Sequence, residues 1–220
     1  AMLRQAIAIL VYGDILMLLK NQVKPYEINE GEADALVDNW VSNLAEMMDK
    51  KRGLCLQEIR NNLKEIVESF SQVPKTDKEK VKVGIVGEIY IKYSSLGNNN
   101  LEELLISEGC EVMVPGLLGF IMYCMENGVI DYQLYGWSYF KSISSKKVNE
   151  YLGKMEGLMI DAVSSFSNFA APSPFVHMKE LVDGIIGLGC KMGEGWLLPA
   201  EMVELIKSGY SNIVVAQPFG

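Results

Sequence analysis

The sequence predicts an α/β protein: a Rossmann-like parallel sheet flanked by helices, preceded by an N-terminal helical segment. Three observations lead there. Apolar residues recur at three- and four-residue steps through the first third of the chain. After the polar, proline-opened stretch PKTDKEK (74–80), the run VKVGIVG carries strand-type residues into a glycine. Strand and helix patterns then alternate up to a last apolar run, Ile213 to Ala216, and parallel strands need helical crossovers of that kind.

The stretch Ala6 to Leu19 is apolar but broken by Gly13 and Asp14, and it is shorter than the ~20 residues that cross a bilayer, so it reads as a buried helix. Leu36, Val37, Trp40, Val41, Leu44, Met47 and Met48 mark one face of the next helix, and Asp34, Asp38, Asn43 and Glu46 fill the other. Ile59, Leu63, Ile66, Val67 and Phe70 repeat the pattern. PKTDKEK then separates a helical segment, 1–76, from an α/β domain, 77–220. A strand over Val81 to Val86, a short helix through Leu101, Leu104 and Leu105 stopped by Gly109, and a second strand in EVMVP make a βαβ unit. Further helices are predicted around Leu117 to Asn127, Lys146 to Phe166, Val176 to Ile186 and Pro199 to Ser208. Pro199 suits the first turn of the last one and Gly209 its stop. The closing strand reads as buried on both faces.

With 20 basic against 28 acidic side chains, the formal net charge is -8, and no long basic run favours nucleic acid as a partner. No signal-peptide pattern directs the chain out of the cytoplasm, no membrane association is expected, and Ala1 before Met2 reads as a cloning remnant. The four cysteines, Cys55, Cys110, Cys124 and Cys190, form no Cys-x-x-Cys pair. With the single histidine, His177, they make no usual zinc set, and they read as buried free thiols.

Candidate chemistry gathers where strands end, because ligands of parallel sheets bind at the carboxyl ends of the strands. Glu88 follows Gly87 there, able either to cap a loop or to hold a ligand, and Gln217 and Pro218 follow the last strand. Asn98, Asn99 and Asn100 precede a helix that needs one N-cap. The turn GCKMGEGW offers Gly193, Glu194 and Gly195 but matches neither nucleotide-binding glycine pattern, and its carboxylate would repel a phosphate. The acidic groups of KPYEINEGEAD (24–34) suit the start of the Trp40 helix. Tyr132, Tyr135, Trp137, Tyr139 and Phe140 read as a packed loop or interface, and His177 has no nucleophile partner.

Taken together, KPYEINEGEAD, VGIVGEIYIKYSSLGNNNLEELLISEGCEVMVPG (83–116), GEGWLLPAEM (193–202) and QPFG (217–220) resemble the C-terminal, dehydratase-like region of acyl-CoA dehydratase activase-related proteins. These belong to the 2-hydroxyglutaryl-CoA dehydratase and benzoyl-CoA reductase superfamily. The resemblance implies a cytoplasmic, oxygen-sensitive iron-sulfur system of anaerobic bacteria, of the CoA-substrate-specific enzyme activase family. In it an actin-like ATPase activator, on the same or a separate chain, sends an electron to a [4Fe-4S]-type cluster that reduces or dehydrates an acyl-CoA or other small substrate. It further implies that QPFG is followed by a cysteine ligand and that this chain is a cut domain. A cluster would belong to the parent protein, with none expected here, because none of the four cysteines matches a ligand position. Glu88, Tyr90, Asn99, Glu194, Gly195, Gln217, Pro218 and Gly220 would line the cluster or substrate cleft. Pro199 departs from the family pattern, where relatives often carry a hydroxyl residue. Two alternatives remain: a non-redox ligand-binding or activator-docking module, and a nicotinamide dehydrogenase, which the missing glycine fingerprint disfavours.

Overall fold

The structure, a computed structural model, describes residues 2–166 and 168–218. Three helices come first: α1 (Met2–Val23), α2 (Glu32–Asp49) and α3 (Leu56–Ser71). α1 is a central helix. By length and composition it could cross a membrane, yet Val11, Ile15 and Leu19 are fully buried within the fold. α2 and α3 show one apolar face each, α3 burying Ile59, Leu63, Ile66, Val67 and Phe70, the residues whose spacing marks it in the sequence. Asp14 and Gly13 interrupt the hydropathy of α1 without breaking the helix, because the Asp14 carboxylate is spent on another element.

The sheet follows. β1 (Val81–Gly87) is its central strand, with β2 (Cys110–Met113) on one side and β3 (Asn212–Ala216) on the other, all parallel. Val83 pairs with Val112, and Ile85 with Val214. Successive side chains point to opposite faces. Val86 joins the main core, while Ile85 packs with Val112 and Val114 in a smaller cluster under Leu101 and Leu105. Between β1 and β2 run two short helices, α4 (Ile89–Tyr93) and α5 (Leu101–Ser107). β2 leads to β3 through α6 (Leu117–Tyr135), α7 (Tyr139–Ser164), α8 (Met178–Leu181) and α9 (Leu197–Lys207).

These observations bear out mixed helices and a small parallel sheet, with several corrections. α6 and α7 run to Tyr135 and from Tyr139, so the aromatic group is the tip of a helical hairpin, not a packed loop. Gly136 in the left-handed region ends α6, and Phe140 is 81 % exposed. The segment from Val176 to Ile186 holds only a 3-10 turn (Phe175–His177) and the single turn of α8. Gly184, with φ +74°, takes the chain out of helical geometry. β3 is half-open, with Val215 45 % exposed, because among the described residues it pairs on one side only. The cysteines are not buried: Cys55, Cys124 and Cys190 are exposed and Cys110 half-buried. Cys55 is the N-cap of α3, Cys124 lies on an outer face of α6, and Cys190 lies in a turn, places governed by backbone geometry rather than apolar demand.

The segment 74–80 is not a free linker at its start. Ile28 donates its amide to the Pro74 carbonyl at 3.0 Å, Thr76 donates to Tyr26 at 2.8 Å, and Glu27 pairs with Lys75 as an antiparallel bridge.

Candidate functional site

The strand order β2-β1-β3 means that the chain leaves β1 toward one edge of the sheet and returns to the other, so the carboxyl ends of β1 and β3 lie side by side. Ligands of parallel sheets bind at such strand ends. Gly87 ends β1 in contact with β3: a side chain there would place its Cβ 1.9 Å from the Ala216 carbonyl oxygen, and Glu88 donates its amide to that oxygen at 3.0 Å. Glu88 is then the N-cap of α4, its Oε2 accepting from the Ile91 amide at 3.1 Å. Its capping and any ligand role therefore share one side chain with one oxygen left over.

Glu194 arrives at the same place from 105 residues away, its Oε1 accepting from the Ile89 amide at 3.2 Å. The loop that brings it is strained. Gly193, Glu194 and Gly195 all have positive φ, at +58°, +63° and +37°, and a Cβ on Gly195 would lie 2.0 Å from the Cys190 carbonyl oxygen. Trp196 fixes the exit, donating its amide to Cys190 at 2.7 Å and its indole N–H to Asn127 at 3.1 Å. Glu194 is 8 % exposed, and its Oε2 is buried without a hydrogen-bond partner among the described residues. Burial and then the neighbouring Glu88 carboxylate push its pKa up, so the acid holds its proton more tightly than an ordinary glutamate.

Of the residues singled out in the sequence, Glu88, Glu194 and Gly195 come together with the end of β3, where Gln217 and Pro218 are exposed. Gly220 lies outside the described residues. Tyr90 is on α4 but 59 % exposed. Asn99 is an exposed turn residue with φ +54°, a conformation asparagine tolerates, and it makes no side-chain hydrogen bond among the described residues. Asn98 does the capping instead, accepting from Leu101 at 3.1 Å and donating to the Ile91 carbonyl at 2.9 Å. His177 is exposed beside Glu180.

Three groups next to this edge carry no sequence signal. Lys92 of α4 is buried, its Nζ 3.0 and 3.2 Å from the two oxygens of Glu201 on α9. Asp14 accepts from the Leu117 and Leu118 amides at 2.9 and 2.8 Å, capping α6, and burial lifts its pKa to about 6. Only the spacing of charges within apolar stretches could have drawn attention to them. Comparison with protein-family models, curated proteins and solved structures finds no match for this chain. Among the described residues no three His, Cys, Asp or Glu side chains converge as a metal-ligand set. The chemistry open to this edge is hydrogen bonding at the free oxygen of Glu88, while the second oxygen of Glu194 lies buried behind it.

Proposed function

We infer that the chain is the dehydratase-like part of an ATP-activated iron-sulfur system that reduces or dehydrates acyl-CoA-type substrates, built on a Rossmann-like half-sheet. One observation carries the reading. Three of the four stretches that resemble the family, 83–116, 193–202 and 217–220, are far apart in the chain, yet the Ile89 amide meets the Glu194 carboxylate beside the end of β3, while the fourth, 24–34, packs against residues 74–76. Motifs that served only local folding would have no reason to converge on one sheet edge. In this reading the edge faces the cluster and substrate of the parent protein. Its activator is an actin-like ATPase and its setting the cytoplasm. Glu88 supplies the polar contact from that edge, where Glu194 and Glu88 already engage the Ile89 and Ile91 amides. Such a cluster needs several thiolates held together, which this chain's four cysteines do not form among the described residues.

A non-redox binding or docking module is the second reading, favoured by the full engagement of one oxygen of each glutamate in capping α4. Iron and acid-labile sulfide, measured on an anaerobically purified protein extended beyond residues 1 and 220, separate the two. Stoichiometric iron that bleaches on reduction is the expected result. A folded extended protein without iron overturns the redox reading and leaves the binding module.

A further inference from the structure

A cavity of about 100 Å³ lies beneath the end of β2, walled by α1, α6, α7, α9 and the segment 170–175. Leu18, Met113, Leu118, Met159, Phe175 and Leu197 make it apolar. Its charged wall groups are all acids: Asp14, Glu156, Glu201 and Glu204. Asp14 has both oxygens committed to α6 amides, and Glu201 has both committed to Lys92. Glu156 gives one oxygen to the Phe175 amide at 2.9 Å, and Glu204 gives one to Ser173 and Ser208. Each of these last two keeps its second oxygen without a partner among the described residues.

We propose that this cavity is a binding site for a small organic cation, an apolar body of a few heavy atoms carrying one ammonium, with the Glu156 carboxylate as its counter-charge. The chemistry selects that class. A carboxylate or phosphate ligand would meet four acids and no wall cation. A purely apolar ligand would set its surface against the half-buried Glu156 carboxyl without supplying a counter-charge. An ammonium supplies that counter-charge to the Glu156 and Glu204 carboxylates on the wall. The volume sets the size, being smaller than the ~150 Å³ cavity that takes up benzene. Burial lifts the Glu156 acid to about 7, so the site charges across the neutral range. The other titratable groups on the wall are Asp14, Glu201, Glu204 and Tyr210, with His177 acting on Glu156 from beyond the Phe175 turn.

The test is titration of the full chain with n-butylammonium and with n-butanol, followed by ligand-observed NMR at pH 6 and pH 8. Saturable millimolar binding of the amine is expected, stronger than that of the alcohol and roughly tenfold tighter at pH 8, as the ionised fraction of an acid of pKa about 7 requires. Glu156→Gln should weaken the amine at least fivefold and remove the pH dependence. Ala171→Leu, which narrows the cavity and leaves Glu156 in place, should block both probes. Binding that Ala171→Leu leaves intact, equal binding of amine and alcohol at pH 8, or no saturation overturns the proposal. So does a folded Glu156→Gln protein that binds as the parent does.

Discussion

Lys92 and Glu201 form a salt bridge with both side chains almost wholly inside the protein, at 2 % and 5 % exposure. Burial is costly for each charge alone, and their mutual attraction with two hydrogen bonds offsets it. Removing one partner strands the other. Lys92→Met should therefore destabilise the fold by about 3–5 kcal/mol, read from urea unfolding, while the double variant Lys92→Met with Glu201→Leu should recover most of the loss. A double variant no more stable than the single one would show that the pair is not the cause.

Two glycine substitutions should act in opposite directions. Gly87→Ala forces a Cβ against the Ala216 carbonyl and should separate the ends of β1 and β3, costing more than about 2 kcal/mol. Gly157 lies inside α7, where a methyl group added at its Cα would meet nothing within 4 Å, so Gly157→Ala should raise stability by about 0.5–1 kcal/mol. Thermal melts of both variants beside the parent decide the point.

Stability should fall as the solution is made less acidic. The Asp14 acid rises from an ordinary 3.8 to about 6 and that of Glu156 from 4.5 to about 7, burial being the first cause of both. A carboxyl with a raised folded pKa binds its proton more tightly when folded, so its contribution is complete below the unfolded value and is lost as pH climbs through the folded one. The loss should span about pH 4 to 6 for Asp14 and about pH 4.5 to 7 for Glu156, each worth up to roughly 3 kcal/mol. Two other acids work the opposite way at the acid end. Burial opposes ionisation of Asp34, but Lys24 and Lys20 outweigh it, and Glu103 is held low first by its hydrogen bond from Lys24. Glu156→Gln, whose amide oxygen can still accept from Phe175, should flatten the upper part of the curve. A parent Tm that rises between pH 5 and 7 would contradict this.

Glu27 shows what the acidic stretch before α2 does. Its two oxygens accept from the Gly31 and Ala33 amides at 2.8 and 2.7 Å, satisfying groups at the helix start that have no partner within the helix. Glu27→Ala should cost about 1–2 kcal/mol, whereas Glu30→Ala, three residues on and exposed, should cost almost nothing. Paired urea titrations of the two variants measure the difference.

What could be read in the sequence was local. The face of α3, the run of β1 and the stop at Gly209 are set by neighbours a few residues away, and they lie where periodicity puts them. The ends of α6 and α7 do not, because Tyr132, Trp137 and Phe140 look like a loop when their exposure on a hairpin tip is unknown. The region around residue 180 has helical spacing, yet its glycines favour turns. At the candidate site, Glu88 was legible as a residue after a strand. Its meeting with Glu194, and that of Lys92 with Glu201, depend on contacts more than 100 residues apart that no window of sequence contains.

The short ladder between 26–28 and 74–76 changes how the chain responds to cutting. Lys78 and Lys80 lie just beyond its pinned end, so trypsin should nick there first and spare the bond after Lys75. The nicked halves should stay together under native conditions, since α1 and α3 from one side and α7 and α9 from the other bury the same core. Such a noncovalent pair would run as one species through a sizing column and come apart only in denaturant.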